Sequence, residues 1–231
     1  YSTNAVPEFT VLLMLSLVRK WKPMEKKLSH QDFTLQGVQG KELGSMTLGL
    51  FGTGKLGIKT AEILHAMGCT ILACSPHEKE EAKPYVTYTT QDEVFRKADL
   101  LFFHCVLNDA TRQMVNRESI AKMKDGVYLV NTARGGLVDF EAVLDGLKSG
   151  KIAGFASDVY DKEAPFIRKD LTGEKLEDPV LAELLSREDV ILTPHVAFFT
   201  ETSVSNLIRL SLESLIEFET TGTCEREVYR T

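Results

Sequence analysis

Residues 47–57 read TLGLFGTGKLG, a short apolar run that breaks into three glycines at G-x-G-x-x-G spacing. The run shows no polar alternation, as a strand buried on both faces shows none. The glycines meet three separate steric demands. Gly52 permits a tight turn, Gly54 lets the main chain approach a pyrophosphate, and Gly57 lets the following helix pack closely on the strand. A helical pattern over 56–67 follows at once, so its first N–H groups, around Lys55 and Leu56, would face the phosphates. The alternative, a purely structural glycine turn, treats this strand–turn–helix context as coincidence.

Outward from that turn the chain alternates. Short apolar strands are expected at 47–51, 70–73, 100–104, 127–131, 152–158 and 190–192. Helical patterns separate most of them at 56–67, 91–97, 118–123 and 140–149, the last capped by Asp139 and ended by Gly150. Such alternation predicts a parallel sheet covered on both faces: an α/β, doubly wound, Rossmann-like NAD(P)-binding domain spanning residues 29–200, with flanking helices. The leading segment, 1–28, reads as one helix from Val6 toward Lys27, capped by Asn4 or Thr3, with Phe9, Leu12, Leu13, Leu17 and Trp21 on its apolar side. Residues 29–45 read as loop, and 201–220 as a final amphipathic helix. The chain opens on Tyr1 rather than Met, which reads as the later part of a longer polypeptide.

Bulk properties bound the function. With 231 residues, 43% apolar and 26% charged, the chain has ordinary globular composition. A net charge of −6 and the lack of a basic patch argue against a nucleic-acid surface. The longest apolar run, 9–18, is too short to span a bilayer and lacks the layout of a signal peptide. Cys69, Cys74, Cys105 and Cys224 show neither metal nor redox spacing, so no metal is expected and a reducing cytoplasm fits.

In a doubly wound sheet, chemistry sits beyond the carboxyl ends of the strands. Polar residues gather there: His104 after one strand, Asn131-Thr132-Ala133-Arg134 after the next, Asp158 and Glu163 after the next, and Thr193-Pro194-His195 after the last. A guanidinium can hold a carboxylate in bidentate fashion. A histidine can give and take the proton at a carbonyl or hydroxyl, and a neighbouring carboxylate fixes its tautomer. Each residue has a plain reading as well: Arg134 as a surface ion pair, Glu163 as one carboxylate of a charged loop, His195 as a strand-end histidine bonded to backbone. Their placement at three strand ends of one sheet favours a site.

These residues bring a family into view. The stretches NAVPEFTVLLMLSLVRK, LGLFGTGKLG, LVNTARGGLVD, LKSGKIAGFASDVYDKE and VILTPHVAF resemble the D-isomer-specific 2-hydroxyacid dehydrogenases over nearly the whole chain. HVAFFTETS and the insertion APFIRKDLTGEKLEDPVLAELL resemble the D-lactate dehydrogenase branch. The resemblance implies an oxidoreductase moving a hydride between NAD(P)H and a 2-oxo acid, pyruvate and D-lactate first. A larger 2-oxo acid, or a nucleotide-sensing corepressor-like binding protein, is the alternative. It implies Arg134 for the substrate carboxylate and His195 for the proton, with Glu163 as its partner. Asp158 would orient the nicotinamide carboxamide, and His104, Cys105, Val106, Thr111, Thr132 and Ala133 would line the cofactor cleft. It further implies a homodimer through residues 1–28, and a C-terminal helix and tail (201–231) returning toward a catalytic domain that this chain lacks, so that the piece alone would be inactive. Phe9 and Val106 depart from the family's usual His and Pro.

A third departure concerns the cofactor. The strand CTILAC ends at Ser75, 18 residues after Gly57, where an acid grips the ribose in NAD-binding relatives of this motif. An acid repels a 2′-phosphate; Ser75 does not, and its hydroxyl can bond either ribose. NAD(H) is therefore expected, with NADP(H) admitted. His77 and Lys79 stand close by in sequence, against Glu78, Glu80 and Glu81.

Overall fold

The computed structural model describes residues 2–226, so Tyr1 and the expected tail beyond 226 lie outside the described residues. The sheet has seven strands: β1 (Thr47–Phe51), β2 (Thr70–Cys74), β3 (Thr87–Tyr88), β4 (Leu100–Phe103), β5 (Val127–Asn131), β6 (Ile152–Ser157) and β7 (Val190–Leu192). Their order is β3-β2-β1-β4-β5-β6-β7, and every pair is parallel. The chain winds one way from β1 through β3, then crosses back to lay β4 on the other side of β1. That reversal opens a crevice at the carboxyl ends of β1 and β4, where doubly wound sheets bind ligands.

Consecutive apolar residues in each strand feed two cores. Leu48, Leu50, Phe102, Tyr128 and Val130 join the core under α1 (Ala5–Val18) and α3 (Lys55–Ala66). Their strand neighbours Phe51, Leu101, Phe103, Leu129 and Phe155 join the core under α4 (Gln91–Lys97), α5 (Arg117–Lys122), α6 (Phe140–Ser149) and α7 (Pro179–Ser186). All four residues of β4 and all five of β5 are buried, as a doubly covered parallel sheet requires. Capping fixes where the helices begin. Thr90, Asp139 and Asp178 accept first-turn N–H groups of α4, α6 and α7, and Asn116 and Ser119 form a reciprocal capping box on α5.

The leading segment differs from the expected single helix. It is two helices, α1 and α2 (Trp21–Ser29), parted at Lys20, whose φ of 53° is left-handed. Pro23 supplies the cause: in an unbroken helix its ring would clash with the Arg19 carbonyl and forgo that hydrogen bond. In the first turn of a new helix its missing N–H costs nothing. Lys22 then reaches across to donate to the carbonyls of Leu185, Arg187 and Val190 at 3.3, 2.6 and 3.1 Å. The buried side of α1 also differs: Leu13, Met14, Leu17 and Val18 are buried, whereas Leu12 and Trp21 are exposed. Asn4 occupies the cap position without a side-chain bond, and Ser2 Oγ accepts the N–H groups of Asn4 and Ala5 instead.

Two elements escaped the pattern. β3 is two residues long, below what periodicity can register, and α7 lies inside the charged segment between Glu163 and His195. The last helix, α8 (Glu201–Thr221), leaves Leu207, Ile208, Leu212, Leu215, Ile216 and Phe218 exposed. No helix among the described residues is long and apolar enough to cross a membrane, and no cluster of three or more metal-ligating side chains occurs among them.

Candidate active site

The glycine turn closes as its sequence demands. Gly52 sits at φ +95°, and a side chain there would meet the Cys105 main chain at 2.7 Å. At Gly57 an added Cβ would lie 2.1 Å from the Gly52 carbonyl oxygen. These two glycines are required by the protein's own packing. Gly54 is not: it is exposed, and nothing of the protein lies within 4 Å of an added Cβ. It holds the cap position of α3 and gives no side-chain cap, so the first-turn N–H groups of the exposed Lys55 and half-buried Leu56 face outward uncapped. Space kept clear above an uncapped helix start is what a pyrophosphate needs, and the residues present fit a dinucleotide.

From this turn a cleft of about 620 Å³ runs across the strand ends, lined among others by Leu56, His104, Cys105, Val106, Thr132 and Ala133. Arg134, Asp158 and His195 line its far part. Burial and neighbouring hydroxyls fix the chemistry of its walls. The Thr60 hydroxyl donates to the Leu56 carbonyl at 2.9 Å, so the imidazole of His104 must donate through Nε2 to Thr60 Oγ1, also at 2.9 Å. Desolvation lowers His104 from 6.5 to about 4, keeping it neutral. Thr10 likewise spends its proton on the Val6 carbonyl, which makes Thr132 the donor to Thr10 at 2.7 Å and leaves Thr132 an acceptor toward the cleft. Burial pushes the Cys105 thiol up to about 11, so it is no nucleophile at neutral pH.

The far part is built from side chains that the sequence keeps far apart. His195 Nδ1 lies 2.9 Å from Glu163 Oε1, and Glu163 Oε2 accepts the Tyr160 N–H at 3.2 Å. With Nδ1 so held, Nε2 is the ring nitrogen left for the cleft. His195 has a left-handed φ of 59°, uncommon for a residue with a side chain. Asp158 secures that conformation. Buried to 1% exposure, it accepts from Thr193 Oγ1 at 2.5 Å and from the N–H groups of Val196 and Ala197 at 2.9 and 2.8 Å. Three donors converge on one carboxylate, and Oδ2 keeps a lone pair for a further donor. Arg134 is exposed at the cleft, with one Nη1 bond to the Ala133 carbonyl at 2.7 Å.

Two expected residues stand elsewhere. Ser75 follows directly after β2 beside the glycine turn, outside the cleft lining. Thr111 braces the loop after β4, donating to the Val106 carbonyl at 2.7 Å and accepting from Asn108 N–H at 2.9 Å. The sequence reading missed Val6, Leu107, Ala197 and Phe198, which also line the cleft. Phe198 stands edge-on to His195, with ring centroids 6.3 Å apart. Its position three residues after His195, in the same stretch, was the available signal.

Comparison with known proteins agrees with this fold. A family model described as the D-isomer specific 2-hydroxyacid dehydrogenase NAD binding domain matches residues 11–197. The chain is 44% identical over 228 residues to an aromatic 2-oxoacid reductase of Clostridium sporogenes, covering 98% of this chain and 69% of that protein. A D-lactate dehydrogenase structure from Treponema pallidum superposes with a TM-score of 0.94 at 36% identity, covering all of this chain and 70% of that one. The D-lactate dehydrogenase with NAD+ from Lactobacillus jensenii gives 0.90 at 33% identity, again over all of this chain and 70% of that one. With its parallel sheet, its glycine turn and the His195–Glu163 pair at the strand ends, the chain belongs to the D-isomer-specific 2-hydroxyacid dehydrogenase family and carries that family's NAD-binding domain.

Proposed function

We propose that this chain holds NAD(H) in the crevice and serves the interconversion of a small 2-oxo acid and its D-2-hydroxy acid, pyruvate and D-lactate first. The observation that carries the reading is the His195–Glu163 pair at 2.9 Å, with His195 on the wall of a cleft that Arg134 and Asp158 share and Glu163 behind it, outside that lining. Gly52, Gly54, Gly57 and the main chain at Lys55 and Leu56 would hold the pyrophosphate. Ser75 would take the ribose, and His104 through Val106 with Thr132 and Ala133 the remaining wall. Thr111 acts one step back, through the loop it braces. The remaining lone pair of Asp158 would orient the carboxamide. Bound there, the nicotinamide supplies or accepts the hydride.

The protein's part is position and a proton. Arg134 has guanidinium N–H groups beyond the one on Ala133, enough to clamp a substrate carboxylate and polarise the adjacent keto oxygen. His195 Nε2 gives the proton to that oxygen in reduction and takes it back in oxidation, while Glu163 holds Nδ1. Hydride and proton together convert C=O to CH–OH. Phe198 supports a second reading, an aromatic 2-oxo acid, because its ring lines the cleft beside His195. Ser75 supports NADP(H) as well as NAD(H), since no carboxylate stands at that strand end; Glu80 nearby is paired with Lys83.

The same reading divides the chain into a leading segment for contacts between domains and between the subunits of a homodimer (1–28), a cofactor domain (29–200) and a returning C-terminal segment (201–231). The exposed apolar side chains of α8 support a docking role toward sequence outside this chain, without which the piece would be inactive. The four free cysteines suit the cytoplasm. Steady-state assays of the full-length protein with pyruvate and with phenylpyruvate, each with NADH and NADPH, test the reading. D-Product from either acid supports it; no turnover with any 2-oxo acid overturns it.

A further inference from the structure

The β2–β3 connection approaches the glycine turn at only a few points. At its base, the Gly52 N–H donates to the Cys74 carbonyl at 2.9 Å. Beyond Cys74 the chain runs exposed, and among the described residues no main-chain group of 76–78 is hydrogen-bonded to the rest of the fold. The first tether after that gap is a side chain. Tyr88 Oη accepts the Lys79 N–H at 2.9 Å and donates to Thr53 Oγ1 at 2.8 Å. Thr53 is the x between the first two glycines of the fingerprint and is 1% exposed.

Tyr88 is itself anchored. It pairs with Ala73 in the sheet, and the next residue, Thr89, donates its N–H to the Ala73 carbonyl at 2.9 Å. One phenol, fixed at its base by β-pairing, thus spans the pyrophosphate turn and the far end of the Ser75 loop. Its single proton and an acceptor lone pair are both in use.

We propose that Tyr88 is a positioning residue for the adenosine half of the dinucleotide. It holds the 75–79 loop at a set distance from the glycine turn, so that ribose and pyrophosphate meet both at once. The inference rests on the dinucleotide reading above. It assigns Tyr88 no contact with the reacting atoms, and a tether that acts before chemistry should appear in cofactor affinity alone. Without the phenol, the Ser75 loop keeps its connection at Cys74 and loses its next fixed point, and binding must then bear the cost of ordering it.

The test is Tyr88→Phe in the full-length protein, which removes one oxygen and keeps the ring. Titration with ADP-ribose and with NADH should show affinity weakened about tenfold. KM for the cofactor should rise in step, with kcat at saturating cofactor unchanged. Thr53→Val should give the same loss, and the double variant no more than either alone, because both changes break one connection. Unaltered ADP-ribose affinity in Tyr88→Phe, a fall in kcat without a rise in KM, or additive losses would each overturn the inference. If the wild-type protein binds neither NADH nor NADPH, the dinucleotide reading itself fails, a result distinct from all three.

Discussion

The two ends of the cleft are made in opposite ways. The end proposed for phosphate is one continuous stretch, 52–57, and presents mainly main-chain N–H groups and room. The end proposed for proton transfer brings Arg134, Asp158 and His195 from three strand ends to the cleft, with Glu163 hydrogen-bonded behind His195, and offers side chains held by other side chains. In the first, a side chain would be an obstruction; in the second, a lost side chain leaves a gap in the chemistry. Substitutions should therefore separate cleanly, with binding lost at one end and turnover at the other.

The largest effect is expected from His195→Asn. Asparagine tolerates the left-handed backbone at this position, so the variant removes the proposed proton carrier and spares the loop. Turnover should fall about 10²- to 10⁴-fold, while NADH affinity by fluorescence titration stays within about twofold. A matching loss of NADH affinity would show that the two ends are not separable.

Glu163→Gln comes next. Glutamine can still accept from Nδ1, but it carries no charge, so kcat should drop roughly 10- to 100-fold with substrate KM little changed. Steady-state kinetics against Glu163→Asp, which keeps the charge and shortens the reach, would tell charge from geometry.

At the phosphate end the glycines should divide among themselves. Gly57→Ala drives a methyl into the Gly52 carbonyl and should cost about 1–3 kcal/mol of stability in a denaturant melt. Gly54→Ala meets open space, so stability should change by less than about 1 kcal/mol while NADH affinity falls about tenfold or more. Equal stability losses in both variants would erase the distinction between a glycine kept for packing and one kept for a ligand.

The smallest effect concerns pH. Burial lowers His104 from 6.5 to about 4, so between these values the unfolded chain binds the proton that the folded one refuses. The stability tied to this histidine is complete above about pH 6.5 and is lost as pH falls toward about 4. A slope of about 1–2 kcal/mol over that interval, after allowance for solvent access, should be absent in His104→Asn. Urea melts across the interval would read it.

Legibility followed the same division. The glycine turn, the buried strands and the caps at Asp139 and Gly150 depend on neighbours in sequence, and each stands where it was expected. Pro23 was equally visible, and the break it imposes at Lys20 follows from a clash four residues upstream. Tyr88 carried no signal. Its strand is two residues long, and its partners, Thr53 and Lys79, lie 35 and 9 residues away.

By itself, then, the sequence determined the architecture and marked where the polar residues gather: strand, glycine turn and helix follow from short-range sterics and burial, and the proposed carboxylate clamp, acid–base and its partner all stand at polar strand ends. Tertiary structure alone decided which groups are truly joined. Only folding sets His195 against Glu163, gives the loop of His195 to Asp158, commits the hydroxyls of Thr60 and Thr10, and hangs the Ser75 loop on Tyr88. Hydrogen bonds act over about 3 Å, and residues far apart in sequence come within that range only when the sheet has closed.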